Sequence, residues 1–240
     1  MKRTVEVLSD KAALVERSLQ IVVEQLKSAI AERGFCTIAL AGGSTPKPLY
    51  EAIAKQDLPW DKTHVFWGDE RYVSADHANS NEGMARKAWL SHVDIPARNV
   101  HPMPTHQPEP SDSAVQYEQE IQAFFKTQPG ELPKFDVILL GTGDDGHTAS
   151  LFPHTDALNV SDRLVTVGNK DGQPRITLTA PLINQARCVL FLVAGANKQD
   201  ALAHIFAEED DNQQYPARMI QPEGELIWLL DRAAGEKLDA

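Results

Sequence analysis

The sequence predicts an α/β fold: one domain spanning 1–240, built on a doubly wound, mostly parallel sheet flanked by helices. Two observations predict it. Short apolar runs alternate along the chain with helical segments, and continuous apolar runs indicate parallel strands covered on both faces. Glycine- or charge-bearing turns separate the runs from the helices that follow, as strand–helix units require. The runs are Cys36–Ala41, His64–Trp67, Phe135–Leu140, Leu164–Val167, Cys188–Ala194 and Leu226–Leu230, expected in one sheet.

A helix over 10–33 comes first. Leu14, Ser18, Ile21, Val22, Leu26, Ala29 and Ile30 fall on one half of its wheel, and Arg17, Gln20, Glu24 and Lys27 on the other. Ser9 or Asp10 can cap its start, and Gly34 supplies a left-handed stop. The first apolar run then opens into Gly42-Gly43-Ser44-Thr45-Pro46. The glycines let the backbone approach a ligand, Ser44 or Thr45 can cap a helix, and Pro46 suits its first turn. Such a turn offers unpaired N–H groups to an anion, typically phosphate. Its glycine spacing is neither a dinucleotide fingerprint nor a P-loop.

After His64–Trp67 comes Gly68-Asp69-Glu70-Arg71, either a solvated turn or a site with Arg71 over an anion and an acid holding its guanidinium. Five prolines between 96 and 110 mark a long connection, read as surface rather than lid, before a helix over 112–126. The run ending at Leu140 leads into Gly141-Thr142-Gly143-Asp144-Asp145-Gly146-His147. A carboxylate two residues before a histidine can orient the imidazole and leave its other nitrogen for acid–base work. Cys188–Ala194 leads into Gly195-Ala196-Asn197-Lys198. With Asn197 as N-cap, Lys198 falls in a first helical turn, where the dipole disfavours a cation unless an anion lies between. Arg175, which opens 175–179, is its candidate partner. In open α/β sheets ligands collect at the carboxyl ends of strands, where these turns lie.

Composition excludes several classes. With 23 Lys+Arg against 34 Asp+Glu the net charge is −11, which argues against broad nucleic-acid binding. The 42% apolar content and ordinary glycine and proline usage describe a globular domain. No apolar stretch approaches the roughly 20 residues a membrane span needs, and no signal peptide is read at the N-terminus. Cys36 and Cys188 read as buried free thiols of a cytoplasmic protein. No metal is expected, because His-Glu-x-x-His and cysteine-pair spacings are absent. Neither Ser44 nor Ser150 sits in a Gly-x-Ser-x-Gly elbow.

The set GGSTP (42–46), DER (69–71), LGTGDDGHTASLFP (140–153), RITLT (175–179) and Asn197-Lys198 resembles the 6-phosphogluconolactonases. That family groups with glucosamine-6-phosphate deaminases in Rossmann-like α/β folds. The resemblance implies hydrolysis of 6-phospho-D-glucono-1,5-lactone to 6-phosphogluconate, in the oxidative pentose phosphate pathway, without metal or organic cofactor. It implies His147 as general base, Asp145 as the residue that orients it, and Arg71 as a ligand for anionic groups. It implies Gly42, Gly43, Ser44, Thr45, Asp69, Arg175 and Lys198 as substrate and phosphate ligands. Developing negative charge on oxygen would be met by glycine-loop N–H groups or by Arg71. The chain departs from the family pattern before Arg175, where Asn169-Lys170-Asp171-Gly172-Gln173-Pro174 replaces a lysine- and proline-rich approach, so no role is carried over to Lys170. Two other readings are a sugar-phosphate isomerase/deaminase and a non-catalytic sugar-phosphate-binding module. The first expects a glutamate five residues after the histidine, where this chain has Phe152; the second has no need of His147. No sequence pattern specifies an oligomeric state.

Overall fold

Strand and helix alternate from the start in the computed structural model, which describes residues 2–128 and 130–238. The first half contains β1 (Lys2–Leu8), α1 (Lys11–Arg33), β2 (Cys36–Leu40), α2 (Lys47–Ile53), β3 (Thr63–Trp67), β4 (Asp69–Arg71), α3 (Asn81–Ala88) and α4 (Pro110–Phe125). The second contains β5 (Val137–Leu140), β6 (Val165–Lys170), β7 (Gln173–Leu178), α5 (Ala180–Ile183), β8 (Cys188–Val193), α6 (Gln199–Phe206), β9 (Glu225–Asp231) and α7 (Arg232–Gly235). Six strands form a parallel sheet in the order β1-β9-β8-β5-β2-β3. Four of them, β2, β5, β8 and all but one residue of β3, are fully buried, which is why their sequences read as unbroken apolar runs.

The long first helix follows its pattern. Leu14, Ser18, Ile21, Val22, Leu26 and Ala29 form its buried stripe. The Asp10 carboxylate accepts from Ala13 N at 2.9 Å, and Gly34 closes the helix with φ 84° and its N–H on Ile30 O.

The run at 164–167 departs from expectation. It belongs to a second, three-stranded antiparallel sheet of order β4-β7-β6. Only Asp171 and Gly172, both at positive φ, separate β6 from β7. A two-residue loop makes a hairpin, whereas a parallel crossover needs a dozen residues or more. Residues 69–71, read as a turn or site, form the edge strand β4 of this sheet. Gly68 joins the two sheets: its N–H donates to Leu40 O and its carbonyl accepts from Leu178 N. Strand β1 escaped the sequence reading because it is an edge strand of mixed polarity with no apolar run.

The proline-rich connection packs along the open edge of β3. Val100 bridges to Val65, His101 N donates to Val65 O at 2.8 Å, and Met103 is buried. Its last proline, Pro110, opens α4, two residues earlier than the spacing predicts. Cys36 and Cys188 are buried free thiols. Among the described residues no helix is long and apolar enough to cross a membrane.

Candidate active site

Four connections converge above the carboxyl ends of β2, β3, β5 and β8. After β2 the chain turns at Gly43 (φ 96°) and enters α2. Pro46 holds the N-cap position and no side chain caps the helix, contrary to the cap expected from Ser44 or Thr45. The turn is instead tied from below: Tyr50 Oη donates to Ala41 O at 2.7 Å and accepts from Ala41 N at 3.0 Å.

Alternation along β4 sends Asp69 and Arg71 to one face and Glu70 to the other. Asp69 is buried; its Oδ2 accepts from Ser150 Oγ at 2.7 Å, and its main-chain carbonyl accepts from Asn81 Nδ2 at 2.8 Å. Glu70 accepts from Arg71 N, Asn81 N, Glu82 N and Ser80 Oγ, capping the start of α3. Burial raises its pKa, against the pull of those N–H donors. The expectation that an acid holds the Arg71 guanidinium is therefore corrected: Glu70 is spent on α3, and Arg71 Nη1 donates to Asn79 O at 2.7 Å.

Across the small sheet Arg71 is the Cα partner of Arg175. The Nε of each is buried without a hydrogen-bond partner. Burial, and then the charge of Arg71, lower the pKa of Arg175.

The loop after β5 folds the predicted pair together. Asp145 Oδ1 lies 2.5 Å from His147 Nδ1 and also accepts from His147 N at 3.1 Å. A Cβ on Gly143 would come within 2.2 Å of His147 Nδ1 and 2.3 Å of Asp145 Oδ1, so the pair sits against bare backbone that only glycine provides. Burial works to raise the Asp145 pKa. The hydrogen bond and charge of His147, its backbone N–H and the charge of Lys170 outweigh it and hold the carboxyl at about 2.

Before α6 a short 3₁₀ turn, Ala196–Lys198, follows Gly195, whose N–H donates to Asp231 Oδ1 at 3.0 Å. That turn moves the helix start: Lys198, not Asn197, holds the N-cap position of α6, and no side chain caps it.

These connections enclose a cavity of about 510 Å³, within the usual size for a small-molecule site. Gly42, Gly43, Ser44, Thr45, Asp69, Arg71, His147, Arg175 and Lys198 all line it, while Asp145 stands outside the lining, on the Nδ1 side of His147. Lys11 and Asn81 also line it and were missed from sequence. Lys11 carried part of the signal used for Lys198, a cation in a first helical turn, although the Asp10 cap directly before it answers the dipole there. Asn81 carried none, because Ser80-Asn81 reads as an ordinary cap. Lys11, Arg71, Arg175 and Lys198 make no ion pair among the described residues, although the chain carries net charge −11. Four unpaired cations around one cavity suit a small anion, and a histidine in its wall backed by a carboxylate suits proton transfer. Among the described residues no group of three or more His, Cys, Asp or Glu is placed to hold a metal ion.

Residues 9–228 match the family model described as glucosamine-6-phosphate isomerases/6-phosphogluconolactonase. The chain is 66% identical over 238 residues to a 6-phosphogluconolactonase of Synechocystis sp., covering 99% of both chains. It is 65% identical to one of Nostoc sp., again over 99% of both. Among solved structures, a 6-phosphogluconolactonase from Trypanosoma cruzi superposes with a TM-score of 0.88 at 32% identity, covering 100% of this chain and 98% of that one.

Proposed function

Since the chain belongs to the glucosamine-6-phosphate isomerase/6-phosphogluconolactonase family, we propose that His147 and Asp145 are the acid–base pair of a lactone hydrolysis in this cavity. The chain is an enzyme that hydrolyses a 6-phosphogluconolactone to 6-phosphogluconate, a step of the pentose phosphate pathway. One observation carries the assignment of roles: a histidine braced by a carboxylate at 2.5 Å lines the same cavity as four unpaired cations.

In this reading Asp145, ionised, accepts from Nδ1–H of His147 and fixes the tautomer with Nε2 free to act as base. Nε2 takes a proton from water as the water oxygen bonds to the lactone carbonyl carbon. The tetrahedral intermediate then collapses, the ring C–O bond breaks, and the proton returns from His147 to the departing ring oxygen, leaving a hydroxyl and the acid. A δ-lactone is already electrophilic, so a positioned base contributing roughly 10²–10⁴-fold is sufficient help. Negative charge developing on the carbonyl oxygen needs a donor. Gly143 N, Gly146 N and His147 N are engaged within their own loop, which favours the guanidinium of Arg71 over these N–H groups.

The phosphate is assigned to Arg175, Lys198 and the turn Gly42–Thr45, with Asp69 accepting from a substrate hydroxyl. An isomerase or deaminase finds no support at the position where its family pattern carries a glutamate, since Phe152 occupies it and is buried. A non-catalytic binding module would leave the His147–Asp145 pair without purpose. The reading treats 1–240 as one domain, in keeping with a single contiguous hydrophobic core, and as a cytoplasmic one, in keeping with its two free thiols.

The test is to supply freshly generated 6-phosphogluconolactone and follow acid release. Acceleration above the spontaneous rate that is abolished in His147→Asn supports the reading. Binding without turnover, or full turnover in His147→Asn, sinks it.

A further inference from the structure

One buried ring joins the two ends of this cavity. Phe152 is 4% exposed, and its ring centroid lies 4.4 Å from that of His147, the two planes tilted by 43°. Arg175 Cζ and Lys170 Nζ each lie over the same ring at 5.3 Å. The three neighbours come from different places: His147 from the loop after β5, Lys170 from the end of β6, and Arg175 from β7.

The hairpin reaches the ring through a close backbone contact. A Cβ on Gly168, in β6, would come within 2.2 Å of Ser150 O, so the hairpin seats against the 148–152 loop because that position is glycine. Gly168 is also the register partner of Arg175, which places the arginine at this contact. The face of an aromatic ring attracts a cation, and the attraction strengthens where water is excluded. A ring packed against an imidazole also restricts its rotation about χ2. Asp145 fixes one nitrogen of His147 but leaves the ring free to rock about that hydrogen bond.

Resting on the roles assigned above to His147 and Arg175, we propose that Phe152 is a positioning residue for the hydrolysis. Its ring restrains the His147 imidazole and, as a shared cation–π platform, holds Arg175 and Lys170, so that the acid–base end and the anion-binding end of the cavity keep a fixed separation. Lys170 does not line the cavity, so it acts through this ring and through its charge on Asp145.

The test compares Phe152→Leu and Phe152→Tyr with His147→Asn and Arg175→Ala, reading kcat on 6-phosphogluconolactone and the inhibition constant of the product 6-phosphogluconate. Phe152→Leu keeps apolar bulk and loses the ring. It is expected to lower kcat roughly 5- to 30-fold and to weaken product binding several-fold, the scale of one ring contact and one cation–π contact. Phe152→Tyr is expected to restore most of both. His147→Asn should move only kcat, and Arg175→Ala should weaken product binding more than Phe152→Leu does while also lowering kcat. A folded Phe152→Leu that leaves both readouts near wild type, or that moves only one, overturns the proposal, and so does a Tyr variant as impaired as Leu. If Phe152→Leu does not fold, Lys170→Met and Lys170→Arg decide: a severalfold fall in kcat together with weaker product binding, both restored by arginine, supports the platform, whereas a fall in kcat alone, as the charge on Asp145 would give, or an unchanged kcat in Lys170→Met overturns it. Full turnover in His147→Asn would instead remove the assignment of the base, a separate failure with its own readout.

Discussion

Arg71 and Arg175 stand opposite each other on β4 and β7, and each has a buried Nε that donates to nothing. Two like charges in register destabilise a sheet, and an unmet buried donor costs roughly 1–3 kcal/mol. The fold tolerates both beside a cavity that also holds Lys11 and Lys198. On the assignment proposed above, an anionic substrate entering that cavity would relieve the repulsion and meet the two unsatisfied donors, which would add to its binding.

The first prediction follows from that arrangement. Lys198→Ala and Arg175→Ala should each cost about 1.5–3 kcal/mol in kcat/KM on the phosphorylated lactone, the scale of a charge-assisted hydrogen bond removed. Binding energy from a remote phosphate can serve positioning, so the loss should appear in kcat as well as KM. On unphosphorylated gluconolactone the same variants should match wild type. Equal losses on both substrates would place the phosphate elsewhere.

A second prediction separates the two members of the acid–base pair. His147→Asn should lower kcat by roughly 10²–10⁴-fold with KM nearly unchanged, and Asp145→Asn should do less, because it misorients the base without removing it. The depressed Asp145 pKa also sets a pH signature. A carboxyl held at about 2 contributes stability that is complete above its unfolded value of 3.8 and is lost only as pH falls through about 2. The stability gap between wild type and Asp145→Asn should therefore shrink as the pH is lowered from about 4 to about 2. Denaturant titrations showing an unchanged gap across that range would refute it.

The parts of this molecule that were legible in sequence share one property: their environment is uniform along the chain. Strands β2, β5 and β8 are buried throughout, and the α1 stripe repeats over about four turns, so local pattern and global position agree. The Gly42–Thr45 turn and the Asp145–His147 pair were legible because each is contiguous in sequence. Strands β1 and β4 were not, being an edge strand of mixed polarity and a three-residue strand rich in charge. Pairings across the chain were equally out of reach: Ser150 on Asp69 spans 81 positions, and the convergence of Lys170, Arg175 and His147 on Phe152 exists only once the hairpin has docked.

Lys11 provides a third prediction. It opens α1, where the helix dipole opposes a cation, yet it lines the cavity and has no ion-pair partner among the described residues. As an exposed charge its contribution is modest, on the order of 0.5–1 kcal/mol. Lys11→Gln should raise KM for the phosphorylated lactone about two- to fivefold, more at low salt than at high salt, with kcat unchanged. A salt-independent effect, or one on kcat alone, would count against Lys11 as part of the anion field.

The last prediction concerns Glu70, whose carboxylate receives three backbone N–H groups and the Ser80 hydroxyl. Glutamine at 70 would turn an amide N–H₂ toward donors that now meet an oxygen, leaving at least one buried donor unmet. Glu70→Gln should therefore destabilise the protein by roughly 1–3 kcal/mol at neutral pH. It should also raise KM, because Glu70 fixes the start of α3, from which Asn81 reaches Asp69. The pH dependence runs opposite to that of Asp145. Burial raises the Glu70 pKa, so the folded chain holds this proton more tightly than the unfolded chain does. The stability that follows is complete below the unfolded value of 4.5 and is lost as pH rises through the higher folded value. Wild type should accordingly gain on Glu70→Gln as the pH is lowered from 8 to 5, the two proteins sharing every other titrating group. Paired denaturant titrations at those two pH values decide it: a gap that narrows on acidification would mean that the N–H donors, rather than burial, govern the ionisation of Glu70.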